Sequence, residues 1–150
     1  MNIQRVKQGA LITLYNGIYM IILGALYIIF FKFNMKQNFD AISSVWVLFA
    51  KYNPKITFLF LLFSLVIGVL LISLGIVIIY LSHFIYKRKE KMPWVILFIS
   101  GIISWAGLLG IAIFSKNLLF IILSFIGWLT FVFGMLLPIS YYTQKQYREY

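Results

Sequence analysis

The sequence predicts an all-α integral membrane protein whose fold is a four-helix transmembrane bundle. Four apolar runs, each free of charged residues, lie between Lys7 and Lys32, Lys55 and Lys87, Lys91 and Lys116, and Lys116 and Lys145. Each exceeds the roughly 20 residues that a helix needs to cross a bilayer. In addition, 63% of the 150 residues are hydrophobic, against roughly 45–50% in soluble domains. Only lipid around the helices accommodates that much apolar surface.

The runs predict one transmembrane domain over residues 1–150, with spans at about 9–31, 56–86, 94–114 and 118–142. The second span is too long, since 31 residues reach about 46 Å against a hydrocarbon core of about 30 Å. We expect it to tilt or to project into the interface. Pro93 suits the first turn of the third helix, and Pro138 predicts a kink or an early end in the fourth.

The segment at residues 40–52, between the first two spans, has a helical pattern of its own. Its apolar residues recur at helical spacing, and Asp40 is placed to cap a helix start. The recurring positions are Ile42, Val45, Trp46, Phe49 and Tyr52 or Asn53. We therefore expect a short interfacial helix, lying in the interface or folded back onto the mouth of the bundle.

The distribution of cations predicts the orientation in the cell membrane. An even number of spans places both termini on one side, and eight Lys and Arg residues on that side against five on the other favour cytoplasmic N- and C-termini. The eight are Arg5, Lys7, Lys87, Arg88, Lys89, Lys91, Lys145 and Arg148. The dense cluster at residues 87–91 also fits anionic lipid headgroups on the cytoplasmic side.

The net charge of +10 does not indicate nucleic acid here. The cations flank the apolar runs, and no folded basic surface is predicted to carry a nucleic acid. The expected partners are therefore membrane lipids.

Glycines at seven-residue spacing form the most regular pattern. Seven residues are almost two turns, so each pair shares a helix face on which two backbones can approach closely. The set is Gly17, Gly24, Gly68, Gly75, Gly127 and Gly134, with Gly107 paired with Ser100 in the third span. We expect these faces to pack helices within one chain or in a homo- or hetero-oligomer. The alternative is a glycine-lined ligand groove.

Two side chains are possible polar or ligand contacts. Asn16 is the most polar residue within any span, and we expect it to make an interhelical hydrogen bond; a substrate contact is the alternative. His83 is the only histidine and lies near the cytoplasmic end of the second span. We expect an interfacial side chain there; a pH sensor or a quinone or haem contact remains open.

The residues missing from the spans exclude several activities. No Asp, Glu, Lys or Arg lies within a span, and the sequence has no cysteine. Ion-coupled pumps usually place ionisable groups there, and zinc or di-iron sites need clustered His and acidic ligands. We therefore predict no catalytic residues, no metal and no cofactor.

The expected function is a non-catalytic helix-packing subunit or accessory of a membrane complex. The alternative is a small transporter, channel or lipid-handling protein that works as an oligomer. An enzyme that borrows a cofactor or partner residues is a third reading.

Overall fold

The computed structural model describes residues 2–40 and 43–143 and confirms the predicted fold class. In that part of the chain every regular element is a helix, and four of the helices are long and apolar enough to cross a membrane. The elements are α1 (Asn2–Ile29), α2 (Phe31–Asp40), α3 (Trp46–Tyr52), α4 (Pro54–Arg88), α5 (Lys91–Phe114), α6 (Leu118–Leu136) and α7 (Ile139–Thr143).

The long helices extend beyond the predicted spans at several ends. α1 begins at Asn2 instead of about residue 9, because Val6 and Ala10 are buried against the bundle although charged residues surround Val6. α4 covers 35 residues, about 52 Å at 1.5 Å per residue, and so exceeds a hydrocarbon core of about 30 Å. α6 ends at Leu136, two residues before Pro138, which is the early end that proline predicts.

The connection between the first two spans differs from the prediction. Asp40 does not cap a helix start; it is the last residue of α2, and the short helix α3 begins only at Trp46. α2 almost continues α1, because the Phe30 N–H donates to the Leu26 carbonyl and the Asn34 N–H to the Phe30 carbonyl, both at 2.9 Å. Apolar spacing identified α3 but gave no signal for α2, which buries no residue completely.

Helix α1 is the centre of the bundle. It packs against α4 on one flank and α6 on the other, while α5 packs mainly against α6. The core between them is filled by large side chains that are at most 1% exposed: Met20, Leu97, Trp105, Phe131 and Met135. The interior is therefore a packed apolar core around a few polar groups.

The two ends of the bundle carry different elements. One end, called here the terminal end, holds the start of α1, the α4–α5 turn and α7; Trp94 stacks on Tyr142 there, with ring centroids 5.1 Å apart. The opposite end, called the distal end, holds α2, α3 and the turn at Ser115, Lys116 and Asn117. Residues 41–42 of the predicted interfacial segment, and Lys145 and Arg148 of the orientation count, lie outside the described residues.

Candidate functional site

Four of the predicted glycines meet across the α1–α4 contact, which we call the glycine seam: Gly17, Gly24, Gly68 and Gly75. Gly17 faces Gly75 and Gly24 faces Gly68, so the two helices run antiparallel. A Cβ added at Gly24 would lie 2.7 Å from the Gly68 carbonyl oxygen, and one added at Gly75 would lie 2.7 Å from the Gly17 oxygen. The backbones thus approach at a distance that only glycine permits, which compensates for the lack of hydrophobic drive between helices in lipid.

The two heptad glycines of α6 lie against side chains of neighbouring helices. Gly127 lies under the indole ring of Trp105, and a Cβ there would overlap the ring. Gly134 lies against Ile12 and Thr13, and an added Cβ would be 3.0 Å from Ile12 Cγ2 and 3.1 Å from Thr13 Oγ1. The same principle places Phe131 of α6 over Gly101 of α5, a pair that heptad spacing did not predict because Gly101 has no glycine partner seven residues away.

Gly9 allows α1 to approach the end of α6 closely at the terminal end of the bundle. Pro138 has no N–H, so the Gly134 carbonyl lacks the helical donor that residue 138 would supply. Gly9 lies against that carbonyl and the Pro138 ring, where an added Cβ would be 2.5 Å from the oxygen and 2.8 Å from Cδ. The break in α6 is therefore covered closely by α1.

Gly107 departs from the predicted packing set within this chain. It is exposed, and a Cβ added to Gly107 or to neighbouring Gly110 would meet no atom within 4 Å. Ser100, its predicted partner, is also exposed and donates its hydroxyl to the Ile96 carbonyl of its own helix at 2.7 Å. The physical reason is the rotation of α5, which turns Gly101 and Trp105 towards the core and Ser100 and Gly107 outwards.

Asn16 is the buried centre of a polar cluster that joins α1, α5 and α6. Its side chain is 3% exposed. Its amide nitrogen donates to the Gly127 carbonyl at 2.8 Å and to the Thr130 hydroxyl at 2.9 Å. Its amide oxygen accepts from the indole N–H of Trp105 at 3.0 Å. We call Asn16, Trp105, Thr130 and the Gly127 carbonyl the Asn16 node.

The Asn16 node is occupied by the protein's own groups. Both amide hydrogens of Asn16 are donated and its oxygen already accepts a hydrogen bond, so three of the amide's four positions are filled. Tyr19 reinforces the node by stacking on Trp105, at 6.1 Å between centroids, and by donating to the Leu123 carbonyl at 3.0 Å. The geometry favours the interhelical role of Asn16 over a substrate contact.

Sequence reasoning missed Trp105 and Thr130 as members of the node. A tryptophan in the middle of a span was a usable signal, because a buried indole N–H needs an acceptor. Asn16 was the strongest side-chain acceptor available within a span. Which helix faces met could not be deduced without the tertiary arrangement.

His83 lies apart from the node. It is exposed on α4 and lines a shallow apolar groove with Leu14, Ile76, Ile79 and Tyr80. No residue that lines this groove forms a hydrogen bond with Asn16, so the two predicted polar contacts do not form one site. Within the part of the chain that the structure describes, no three His, Cys, Asp or Glu residues are arranged to hold a metal ion.

The basic turn between α4 and α5 is directed towards solvent at the terminal end. Lys87, Arg88 and Lys91 are exposed, and Lys89 ends α4 in the left-handed conformation with φ 56°. Arg88 and Glu90 approach to 3.6 Å, an exposed pair of the kind that contributes little to stability. The turn is therefore a compact group of mostly exposed cations at this end of the bundle.

A groove at the distal end was not predicted from sequence. It has an apolar cavity of about 260 Å³ between α1, the start of α2 and the start of α6. A depression between α2 and the α5–α6 turn, which charged and amide side chains border together with Phe33, Leu118 and Leu119, continues from it. Phe33, Asn117 and Leu119 line both parts. We call the two parts together the distal groove.

Fold and site together define the class: an all-α, multi-pass membrane bundle with small residues at its helix contacts and one buried amide that bonds to two other helices. In the comparisons with known proteins, no family model, curated protein or solved structure matches the chain.

Proposed function

We propose that this chain is a non-catalytic helix-packing subunit or accessory of a membrane complex, and that the outward face of α5 binds a helix of its partner. The observation that carries the proposal is the open surface at Gly107 and Gly110, where added Cβ atoms would meet nothing. Small residues at a helix surface are what close helix association in lipid uses. The glycines of the seam are covered by a neighbouring helix of the same chain, whereas Gly107 and Gly110 on the α5 face are not.

The position of α5 in the bundle supports the same proposal. Only 22% of its most apolar window is buried inside the chain, the smallest share among the four spanning helices. Ser100, Ala106 and Gly107 are exposed along it, and Ser104 and Gly110 are half-buried. A partner helix on this face would meet these small residues between the exposed side chains of Ile96, Ile103 and Ile111.

We further propose that the terminal end faces the cytoplasm of a cell-membrane protein. The basic turn at residues 87–91 lies there beside the start of α1, where Lys7 stands over the Tyr86 ring at 5.8 Å. A cluster of cations immediately beside a span is the usual cytoplasmic signal. Tagging either end of the chain and measuring protease accessibility in intact cells tests the orientation.

A transport path is less well supported by this geometry. The centre of the bundle is filled by Trp105, Phe131 and Met20, each 0% exposed, and the Asn16 node uses its polar atoms internally. A path through a single copy would have to displace that core. Transport would thus depend on contacts between copies.

Co-purification from native membranes in mild detergent tests the packing proposal. We expect the unmodified chain to retain a stable partner, either another membrane protein or a second copy. Gly107→Leu should lose that partner, because leucine covers the open backbone. Ser73→Leu is the matched control, since Ser73 is an exposed small residue on α4 and its replacement leaves the α5 face intact. A strict monomer, or a partner retained by Gly107→Leu, contradicts the proposal.

A further inference from the structure

The distal groove combines an apolar cavity with a depression that carries charged side chains. Its cavity is lined by apolar side chains from two helices, including Leu23, Leu26, Phe120 and Leu123, with the amides of Asn34 and Asn117 beside them. The adjoining depression is lined by Lys36, Gln37, Asp40 and Lys116. An amphiphile is the kind of molecule that satisfies both surfaces at once.

The charges of the depression select the headgroup. Lys36 comes from α2 and Lys116 from the α5–α6 turn, so two separate elements bring cations to one rim. Asp40 supplies one negative charge against these two. The remaining positive charge favours an anionic group.

The local backbone of the depression fits the same headgroup. Lys116 adopts the left-handed conformation, with φ 52°. The adjacent Asn117 side chain accepts from the Phe120 N–H at 3.2 Å and so caps α6. Leu118 and Leu119, the first residues of α6, also line the depression, and the positive end of the helix dipole adds to the attraction for an anion.

The size of the cavity limits what enters it. At about 260 Å³ it is slightly smaller than the roughly 300–1,000 Å³ of sites for drug-sized ligands. One stretch of acyl chain fits such a space, whereas a whole lipid does not. The rest of the molecule would lie along the outside of the bundle, where the surface is apolar.

We propose that the distal groove binds one anionic phospholipid, with its phosphate between Lys36 and Lys116 and part of one acyl chain in the cavity. This site lies at the opposite end from the basic turn at residues 87–91, and it does not depend on the α5 face. Failure of this proposal would therefore leave the packing proposal intact.

Native mass spectrometry of the full chain, released from mild detergent, tests the site with phosphatidylglycerol and with phosphatidylcholine of the same acyl chains. We expect one retained phosphatidylglycerol and weaker retention of phosphatidylcholine. The Lys36→Gln/Lys116→Gln variant should bind phosphatidylglycerol about 20- to 30-fold more weakly, from roughly fivefold per cation. Lys51→Gln/Lys55→Gln, which changes two exposed lysines outside the groove, should bind as the unmodified chain does.

A second pair of variants tests the cavity. Leu26→Trp places a larger side chain on the cavity wall, whereas Ile22→Trp makes the same kind of change one turn earlier, at an exposed residue outside the cavity lining. We expect Leu26→Trp to weaken phosphatidylglycerol binding severalfold and Ile22→Trp to leave it unchanged. Circular dichroism of each variant confirms that the helical fold is retained.

Several outcomes would overturn the site. One is equal retention of the two lipids by the unmodified chain. A second is a number of bound lipids that falls steadily without a plateau at one lipid, because this pattern indicates only surrounding bilayer lipid. Another is unchanged phosphatidylglycerol binding by the double lysine variant. Unchanged binding by Leu26→Trp would show that the acyl chain does not occupy the cavity, which overturns the proposal as well.

Discussion

Replacing Gly24 by alanine tests whether the glycine seam holds α1 against α4. The new Cβ would lie 2.7 Å from the Gly68 carbonyl oxygen and 2.9 Å from the Ile72 nitrogen, both of them backbone atoms that no side-chain rotation can move. Ordinary contact begins at 3.4 Å, so the two helices must separate by about 0.7 Å. Overpacking of this kind typically costs about 1–3 kcal/mol.

Alanine also favours the helical state over glycine by roughly 1 kcal/mol, and this gain must be separated from the contact. Gly107→Ala supplies the matched control, because Gly107 is also helical but open on its outer side. The free energy of unfolding of Gly24→Ala should therefore lie about 1–3 kcal/mol below that of Gly107→Ala. The difference between the two variants isolates the cost of the contact.

Reversible unfolding in mixed micelles, titrated with a denaturing detergent and followed by tryptophan fluorescence and helicity, measures both variants. Gly24→Ala/Gly68→Ala should cost less than the sum of the single changes, because the first substitution already separates the helices at the shared contact. Stabilities of Gly24→Ala and Gly107→Ala within about 0.5 kcal/mol of each other would refute close backbone packing at the seam.

Three further outcomes are expected in the same titration. Asn16→Ala should lose about 2–4 kcal/mol, from two hydrogen bonds to α6 averaging roughly 0.6 kcal/mol each in a membrane and roughly 1–3 kcal/mol for the Trp105 N–H left buried and unpaired, whereas Ser104→Ala should change stability by under about 0.5 kcal/mol; equal losses would contradict the node. His83→Ala should also stay within about 0.5 kcal/mol, because the side chain is exposed, and a larger loss would assign it a packing role. Burial, with a smaller contribution from Tyr141, raises the pKa of Tyr142 in α7 to about 12, so ionisation of this group leaves the folded state at full stability below pH of about 10 and destabilises it as pH rises from there through about 12; Tyr142→Phe should flatten this alkaline loss, and an unchanged pH dependence would contradict it.

Tyr142→Phe is also a favourable change to make. The Tyr142 hydroxyl is buried and makes no hydrogen bond to any residue that the structure describes. Removing an unpaired buried polar group relieves its desolvation cost. The variant should therefore fold at neutral pH, where the comparison with the unmodified chain begins.

Some of the architecture was predictable because it depends on local sequence alone. A run of apolar residues without charge needs no tertiary information to be assigned to lipid, and Pro138 ends α6 because proline lacks an N–H. The short helix α3 followed from apolar spacing. α2 was missed, since it is half-exposed and polar and draws its helicity from continuing the hydrogen bonds of α1.

The site was predictable only in part. Polarity inside a span identified Asn16, but its partners Trp105 and Thr130 lie 89 and 114 residues away along the chain. Heptad spacing identified the glycines of the seam, yet the same spacing at Gly107 points away from the bundle. Periodicity gives the face of a helix and contains no information about which neighbour that face meets.

By itself, the sequence determined that this protein has four membrane-spanning helices with small residues on defined faces, because lipid exposure and helical period are properties of each segment separately. Only the tertiary structure decided that α1 packs between α4 and α6, that Asn16 bonds to Gly127, Thr130 and Trp105, and that the α5 glycines remain uncovered. The physical reason is that apolar helices are nearly equivalent partners in lipid. Composition alone therefore does not favour one helix arrangement over another. The close contacts at individual glycines and the hydrogen bonds of one buried amide determine which arrangement forms.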